Sequence, residues 1–180
     1  MPNTFTLIAS ATAGAGGTTA FDFTSIPATY TDLVVKWSAR QDLGTLAASD
    51  FIYLNGSQTS YSGRGMEGNG GGGSAASFSY TGNFTYANVE GNGSTTTANT
   101  FANAEIYIPN YAGSNNKSFS SDGVMETNGS TAYVSFWAGL WSNSAAINRV
   151  TISTSATNVT GGAQKFVQYS TAYLYGIVKS

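Results

Sequence analysis

Residues 132–141, Ala-Tyr-Val-Ser-Phe-Trp-Ala-Gly-Leu-Trp, form the densest run of large aromatic and aliphatic side chains in a chain otherwise dominated by Ser, Thr, Asn and Gly. Such a run has to be buried. Read with period two, it places Val134, Phe136, Ala138 and Leu140 on one face and Tyr133, Trp137 and Trp141 on the other. Both faces are then apolar, which predicts a central strand of a β-sandwich. A helix is disfavoured, because Gly139 and the β-branched and aromatic neighbours oppose it and no capping residue introduces it. Trp137 and Trp141 are therefore read as core, not as ligand contacts.

The rest of the chain repeats this alternation in shorter pieces separated by Gly- and Asn-rich turns. Residues 5–8 and 19–23 flank a glycine turn and read as an opening pair of strands. Pro27 biases Ile26 to an extended conformation, after which Leu33, Val35, Trp37 and Ala39 alternate with Val34, Lys36, Ser38 and Arg40. Residues 41–50 read as a loop, 51–54 as a strand and Asn55-Gly56 as a turn. Glycines at 63, 65, 68 and 70–73 predict a long mobile loop over 61–74, since each ordered glycine forfeits more backbone entropy than other residues. A phosphate cradle is disfavoured there, because no Lys-Ser/Thr follows and no helix opens. Short strands at 78–80 and 84–86 and a polar loop at 91–97 precede clearer alternation. In 101–108, Ala104, Ile106 and Ile108 face inward until Pro109; in 117–127, Phe119, Ser121, Gly123 and Met125 oppose polar partners. Val150 and Ile152 point inward from 146–153, and Tyr173, Tyr175 and Ile177 oppose Leu174, Gly176 and Val178 at the end. The pattern predicts an all-β, single-domain sandwich over residues 1–180 with nine or ten strands and no helix.

Composition removes most chemistry. The chain has neither Cys nor His, so disulfides, thiol nucleophiles, imidazole bases and the usual zinc and copper ligand sets are absent together. Seven Lys and Arg against nine Asp and Glu, net −2, provide no basic patch for nucleic acid. The first residues lack the basic and apolar regions of a signal peptide, and no window approaches a membrane span, so neither export nor membrane insertion is expected. Six Asn-X-Ser/Thr sequons, at Asn55, Asn83, Asn92, Asn116, Asn128 and Asn158, are what a chain so rich in these residues makes by chance.

A pair of carboxylates could hydrolyse glycosides, but Asp22, Asp32, Asp42 and Asp122 sit at expected turns or strand exteriors and Glu105 on a polar strand face. No Gly-X-Ser-X-Gly elbow and no EF-hand spacing occurs. No catalytic residue, metal or cofactor is predicted. Aromatics are more informative, since exposed Tyr can stack on sugar rings and interface cores favour Tyr, Trp and Phe. Tyr53, Tyr61, Tyr80, Tyr86, Tyr107 and Tyr111 are candidates for exposure. Tyr61, Arg64, Met66, Glu67, Tyr107 and Tyr111 are the candidate subunit or partner contacts.

Three stretches resemble a family of small tailed-phage virion structural proteins, common among cyanophages. They are Phe-Thr-Ser-Ile-Pro-Ala-Thr-Tyr-Thr-Asp-Leu at 23–33, Ala-Gly-Leu-Trp at 138–141 followed by Ala-Ala-Ile-Asn-Arg-Val-Thr-Ile at 145–152, and Tyr-Leu-Tyr-Gly-Ile at 173–177. Ala138 departs mildly from the family, where Ser precedes Gly-Leu-Trp more often. The resemblance implies a jelly-roll-like sandwich without enzymatic activity, made in the host cytoplasm and placed on the virion, with the outer capsid surface foremost. It implies a capsid decoration (cement) protein, a homotrimer in contact with the major capsid protein. The alternative is a receptor- or glycan-binding tip module of a fibre, with a host surface glycan as partner.

Overall fold

The computed structural model describes residues 4–73 and 75–178, with Asn88 and Val89 described by backbone alone. Twelve strands follow in chain order: β1 (Phe5–Thr12), β2 (Ala20–Phe23), β3 (Asp32–Ala39), β4 (Ala47–Leu54), β5 (Tyr61–Asn69), β6 (Ala76–Gly82), β7 (Thr85–Asn92), β8 (Ala102–Ile108), β9 (Lys117–Met125), β10 (Tyr133–Trp141), β11 (Val150–Ser153) and β12 (Thr171–Ile177). They form an eight-stranded sheet, β1-β12-β3-β8-β9-β10-β5-β6, and a four-stranded sheet, β2-β11-β4-β7. Every paired strand is antiparallel. The described residues contain no helix, and the all-β sandwich read from the alternation is the fold.

The core lies between the sheets and is built by period two. β3 turns Leu33, Val35, Trp37 and Ala39 inward, β8 turns Ala104, Ile106 and Ile108, and β12 turns Ala172 and Leu174, all buried. The small sheet answers with Phe21, Phe23, Ile52, Leu54, Val150 and Ile152. Phe21 stacks on Phe166 with ring centroids 4.7 Å apart. One buried carboxylate serves two polar side chains: Trp37 Nε1 donates to Asp50 Oδ2 at 2.8 Å, and Gln41 Nε2 donates to Asp50 Oδ1 at 2.8 Å. That carboxylate belongs to β4, which begins at Ala47, inside the stretch read as a loop.

β10 is central, between β9 and β5, but only one of its faces is covered. Trp137 and Trp141 are buried, whereas Val134 and Phe136 lie open to solvent, because the small sheet covers one side of the large one and no described element covers the other. Burial on both faces is thus corrected to burial on one.

The glycine-rich stretch is also corrected. Its first nine residues are β5, paired along their whole length with β10 and over seven residues with β6; only the turn at 70–73 remains, and Ser74 lies outside the described residues. Side-chain volume explains why glycine sits in a strand here. Gly65 is in register with Trp137, and a Cβ at Gly63 or Gly65 would overlap the Trp137 indole. The same applies across the next strand pair, where a Cβ at Gly139 would overlap the Phe119 ring. The lost backbone entropy of glycine is offset by room for an indole in the core. The opening strands do not pair with each other: β1 joins β12 in the large sheet and β2 joins β11 in the small one. Residues 13–19 cross between sheets rather than forming a hairpin.

Candidate interaction face

The uncovered side of the eight-stranded sheet is the principal surface feature of the molecule, and strand register fixes its layout. One cross-strand row runs Tyr173, Lys36, Glu105, Asp122, Phe136, Met66 from β12 to β5. The row on one side carries Asn103, Val124 and Val134; that on the other carries Tyr175, Val34, Tyr107, Ser120, Ala138 and Arg64. Met66, Phe136, Val124 and Val134 are exposed by 57%, 55%, 49% and 42%, and they adjoin one another on β5, β10 and β9. Contiguous exposed apolar groups of this kind mark a place of association. A second group stands at the opposite edge, where Phe5 packs edge-on against Tyr175 at 6.3 Å and Tyr173 stacks with Tyr175 at 6.5 Å.

Between the two groups lies a charged row. Lys36 Nζ and Glu105 Oε2 are 2.6 Å apart, and the hydrogen bond to Glu105 raises the Lys36 pKa. Asp122 stands directly opposite Glu105 across the β8–β9 pair. Burial and then the Glu105 charge raise its pKa above the usual carboxylate value. Like charges in register across two strands are destabilising. Among the described residues Asp122 has no ion pair of its own. A shallow depression of about 360 Å³ opens here, walled by Tyr173 on one side and by Asp122 and Val124 on the other, with Asn103 and Glu105 between.

Three of the six predicted contacts belong to this face. Met66 and Arg64 point outward from β5, and Arg64 Nη1 donates to its neighbour's carbonyl, Gly63 O, at 2.8 Å. Tyr107 is exposed on β8, and its hydroxyl donates to Asp32 Oδ2 at 2.8 Å, a bond that raises the Tyr107 pKa. The other three are corrected. Tyr61 is buried beside Trp141, and its hydroxyl accepts from Leu54 N at 2.8 Å. Tyr111 is buried, with its hydroxyl donating to the Pro27 carbonyl and accepting from Tyr30 N at 3.3 Å. Tyr61 opens β5 at an inward position, and Tyr111 is held in the turn after β8 by its bonds to residues 27 and 30, so both pack rather than dock. Glu67 shares the inward parity of Gly63 and Gly65 and meets Glu90 of β7 between the sheets. Of the remaining tyrosines singled out for exposure, Tyr53 is buried, and Tyr80 and Tyr86 are half-buried in an aromatic cluster with Phe84.

Val124, Val134, Phe136, Lys36 and Tyr173 complete the face without having been singled out. One signal was legible: Val124 is the apolar residue among the outward positions of β9, where Ser118, Ser120 and Asp122 are polar. Among the described residues no group of three or more acidic side chains is placed to hold a metal ion, and no helix is long and apolar enough to cross a membrane. Compared with known proteins, the chain finds no significant match among family models, curated proteins or solved structures.

Proposed function

We propose that this protein is a non-enzymatic structural component of a phage virion, a decoration protein that stabilises the capsid by bridging major capsid subunits. The observation that carries an associative role is the open face of the large sheet, where apolar and charged side chains stand ready for a partner. The virion setting rests on the three family-like stretches, which fall on structural positions: Ile26 and Leu33 in the core, Trp141 and Ile147 buried together, and Leu174 at the centre of β12. The strand orders support the jelly-roll-like part of the reading, since β2-β11-β4-β7 interleaves early and late strands as Greek-key winding does. Low net charge suits a protein that lies among many like copies without mutual repulsion. Capsids lacking the protein are expected to burst at lower temperature than complete ones, read by dye access to the packaged DNA. Equal bursting temperatures would remove the decoration reading.

A second reading, a glycan-binding tip module, is favoured by the depression beside Tyr173, where an aromatic ring stands near the Asn103 amide and two carboxylates. It predicts saturable shifts of outer-face resonances on titration with a neutral host polysaccharide, lost in Tyr173→Ala. Unshifted spectra would exclude it.

A further inference from the structure

Asparagine followed by glycine is the dipeptide at which a chain most readily rearranges unaided. Without a Cβ, glycine leaves its amide nitrogen unshielded and free to attack the preceding side-chain amide. The chain has four such pairs, Asn55-Gly56, Asn69-Gly70, Asn92-Gly93 and Asn128-Gly129. The fold ties down three of them.

Asn55 Oδ1 accepts from Asn148 N at 2.8 Å and from Arg149 N at 3.2 Å, while its Nδ2 donates to Ala146 O at 2.8 Å. Asn69 Oδ1 accepts from Gly71 N at 2.8 Å, and the attacking nitrogen, Gly70 N, donates to Ala132 O at 2.8 Å. Asn92 is buried, its Nδ2 donates to Thr100 Oγ1 at 2.7 Å, and Gly93 N donates to Leu46 O at 2.9 Å. Each pair must give up these bonds before its two reacting groups can meet.

Asn128 is free of such restraints. It stands exposed between β9 and β10 with its main-chain N donating to Glu126 Oε1 at 2.6 Å. Among the described residues, neither its side-chain amide nor Gly129 N has a hydrogen-bond partner. A Cβ at Gly129 would meet Thr127 Oγ1 at 3.1 Å and nothing else nearby, so the surroundings are open. Asn55 and Asn128 share a left-handed φ, 52° and 53°, so hydrogen bonding and not backbone conformation sets them apart.

We propose that Asn128 is a self-modification site, where the folded protein converts its own asparagine into an aspartyl or isoaspartyl residue. Gly129 N gives its proton to solvent and bonds to Asn128 Cγ; the Cγ–Nδ2 bond breaks and the amide nitrogen leaves as ammonia. Water then opens the cyclic imide. Attack at the side-chain carbonyl returns an aspartyl residue, and attack at the main-chain carbonyl leaves an isoaspartyl residue whose backbone is one methylene longer. Either product adds a negative charge to the net −2. The change falls in the turn joining β9 to β10, next to the registered pair Val124 and Val134 of the outer face. It depends on the chemistry of this turn and not on where the protein acts.

Peptide mapping by mass spectrometry tests it, on the chain aged in mildly alkaline buffer both folded and, in parallel, unfolded in guanidinium chloride. In the folded protein the peptide holding Asn128 should gain the mass of an amide-to-acid exchange and take up methyl label from an isoaspartyl methyltransferase. The peptides holding Asn55, Asn69 and Asn92 should keep their amides, whereas the unfolded chain should convert all four pairs. Gly129→Ala, at an exposed position without a positive φ, should slow the conversion several-fold, its thermal melt showing that it is folded. An intact Asn128 in the folded protein at a time when the unfolded chain has converted would overturn the proposal. So would folded Asn55, Asn69 or Asn92 reacting as fast as Asn128, a wholly aspartyl product, or Gly129→Ala reacting at the wild-type rate.

Discussion

Trp137 shapes the strand beside it. Its indole lies over Gly63 and Gly65, its Nε1 donates to Thr85 Oγ1 at 2.9 Å, and its ring meets Tyr86 edge-on at 5.1 Å. The glycines of β5 therefore divide into two kinds by parity, inward ones that make room and outward ones that do not. Gly65→Ala should destabilise the fold by about 1–3 kcal/mol through overpacking. Gly68→Ala, whose Cβ would meet only the Val134 Cγ1 at 3.8 Å, should stabilise it by about 0.5–1 kcal/mol, the usual gain from replacing a strand glycine. Urea unfolding of the two variants reads the difference, and equal effects would show that parity is irrelevant. Trp141 is a second residue-scale test. It is buried against Tyr61, and its Nε1 is buried without a hydrogen-bond partner among the described residues. Trp141→Ala should cost about 3–5 kcal/mol, and Trp141→Phe, which gives up no hydrogen bond, markedly less. What the sequence hid at this scale was volume: a run of glycines looks the same whether it is empty of side chains or filled by a neighbour's.

At the scale of elements, β5 and β7 belong to different sheets and meet through two carboxyls. Glu90 has its pKa pushed up to about 7, first by burial and then by the charge and hydrogen bonding of Glu67. Glu67 Oε2 is buried without a partner among the described residues, and a protonated Glu90 carboxyl supplies the donor. The folded pKa lies above the value of about 4.3 for an unfolded chain. The pair's contribution is therefore fully present below that value and is lost as pH rises through about 7. Glu90→Gln keeps a donor at every pH. It should stabilise the protein relative to wild type by about 1 kcal/mol at pH 8, a figure reduced for partial solvent screening, and should give no gain at pH 4. Thermal melts of both proteins across this range check it, and a constant offset would show that the Glu90 carboxyl does not titrate in this way. Alternation placed β3, β8, β10 and β12 correctly because each has a strongly apolar parity, and β9 through Phe119 and Met125. It could not reveal the Glu67–Glu90 contact, because nothing in either strand says which residues of the other sheet lie across the core.

For the whole molecule, the same contrast separates fold from face. Inward parity is legible because burial demands apolar residues, whereas an outward face is assembled from six or more strands distant in sequence, each contributing one or two side chains. Lys36, Asp122 and Phe136 become neighbours only through register. Register also ties the chain together end to end, since β1 pairs with β12 from Phe5↔Ile177 to Thr12↔Thr171, and β2 reaches the core only by pairing with β11. Neither sheet can form from a contiguous part of the chain, and the tryptophans Trp37, Trp137 and Trp141 are all buried. Unfolding one sheet would strip the other's apolar face, so no half-folded state keeps its burial. Unfolding should accordingly be one cooperative event, with tryptophan fluorescence and far-ultraviolet dichroism giving the same urea midpoint. Refolding should be slow for a chain of this size, in milliseconds to seconds, because the β1–β12 and β2–β11 pairings close loops that span most of the sequence. Two separated midpoints would show that the sheets are independent units, and the packing of Trp137 between β5 and β7 would then contribute far less than its burial implies.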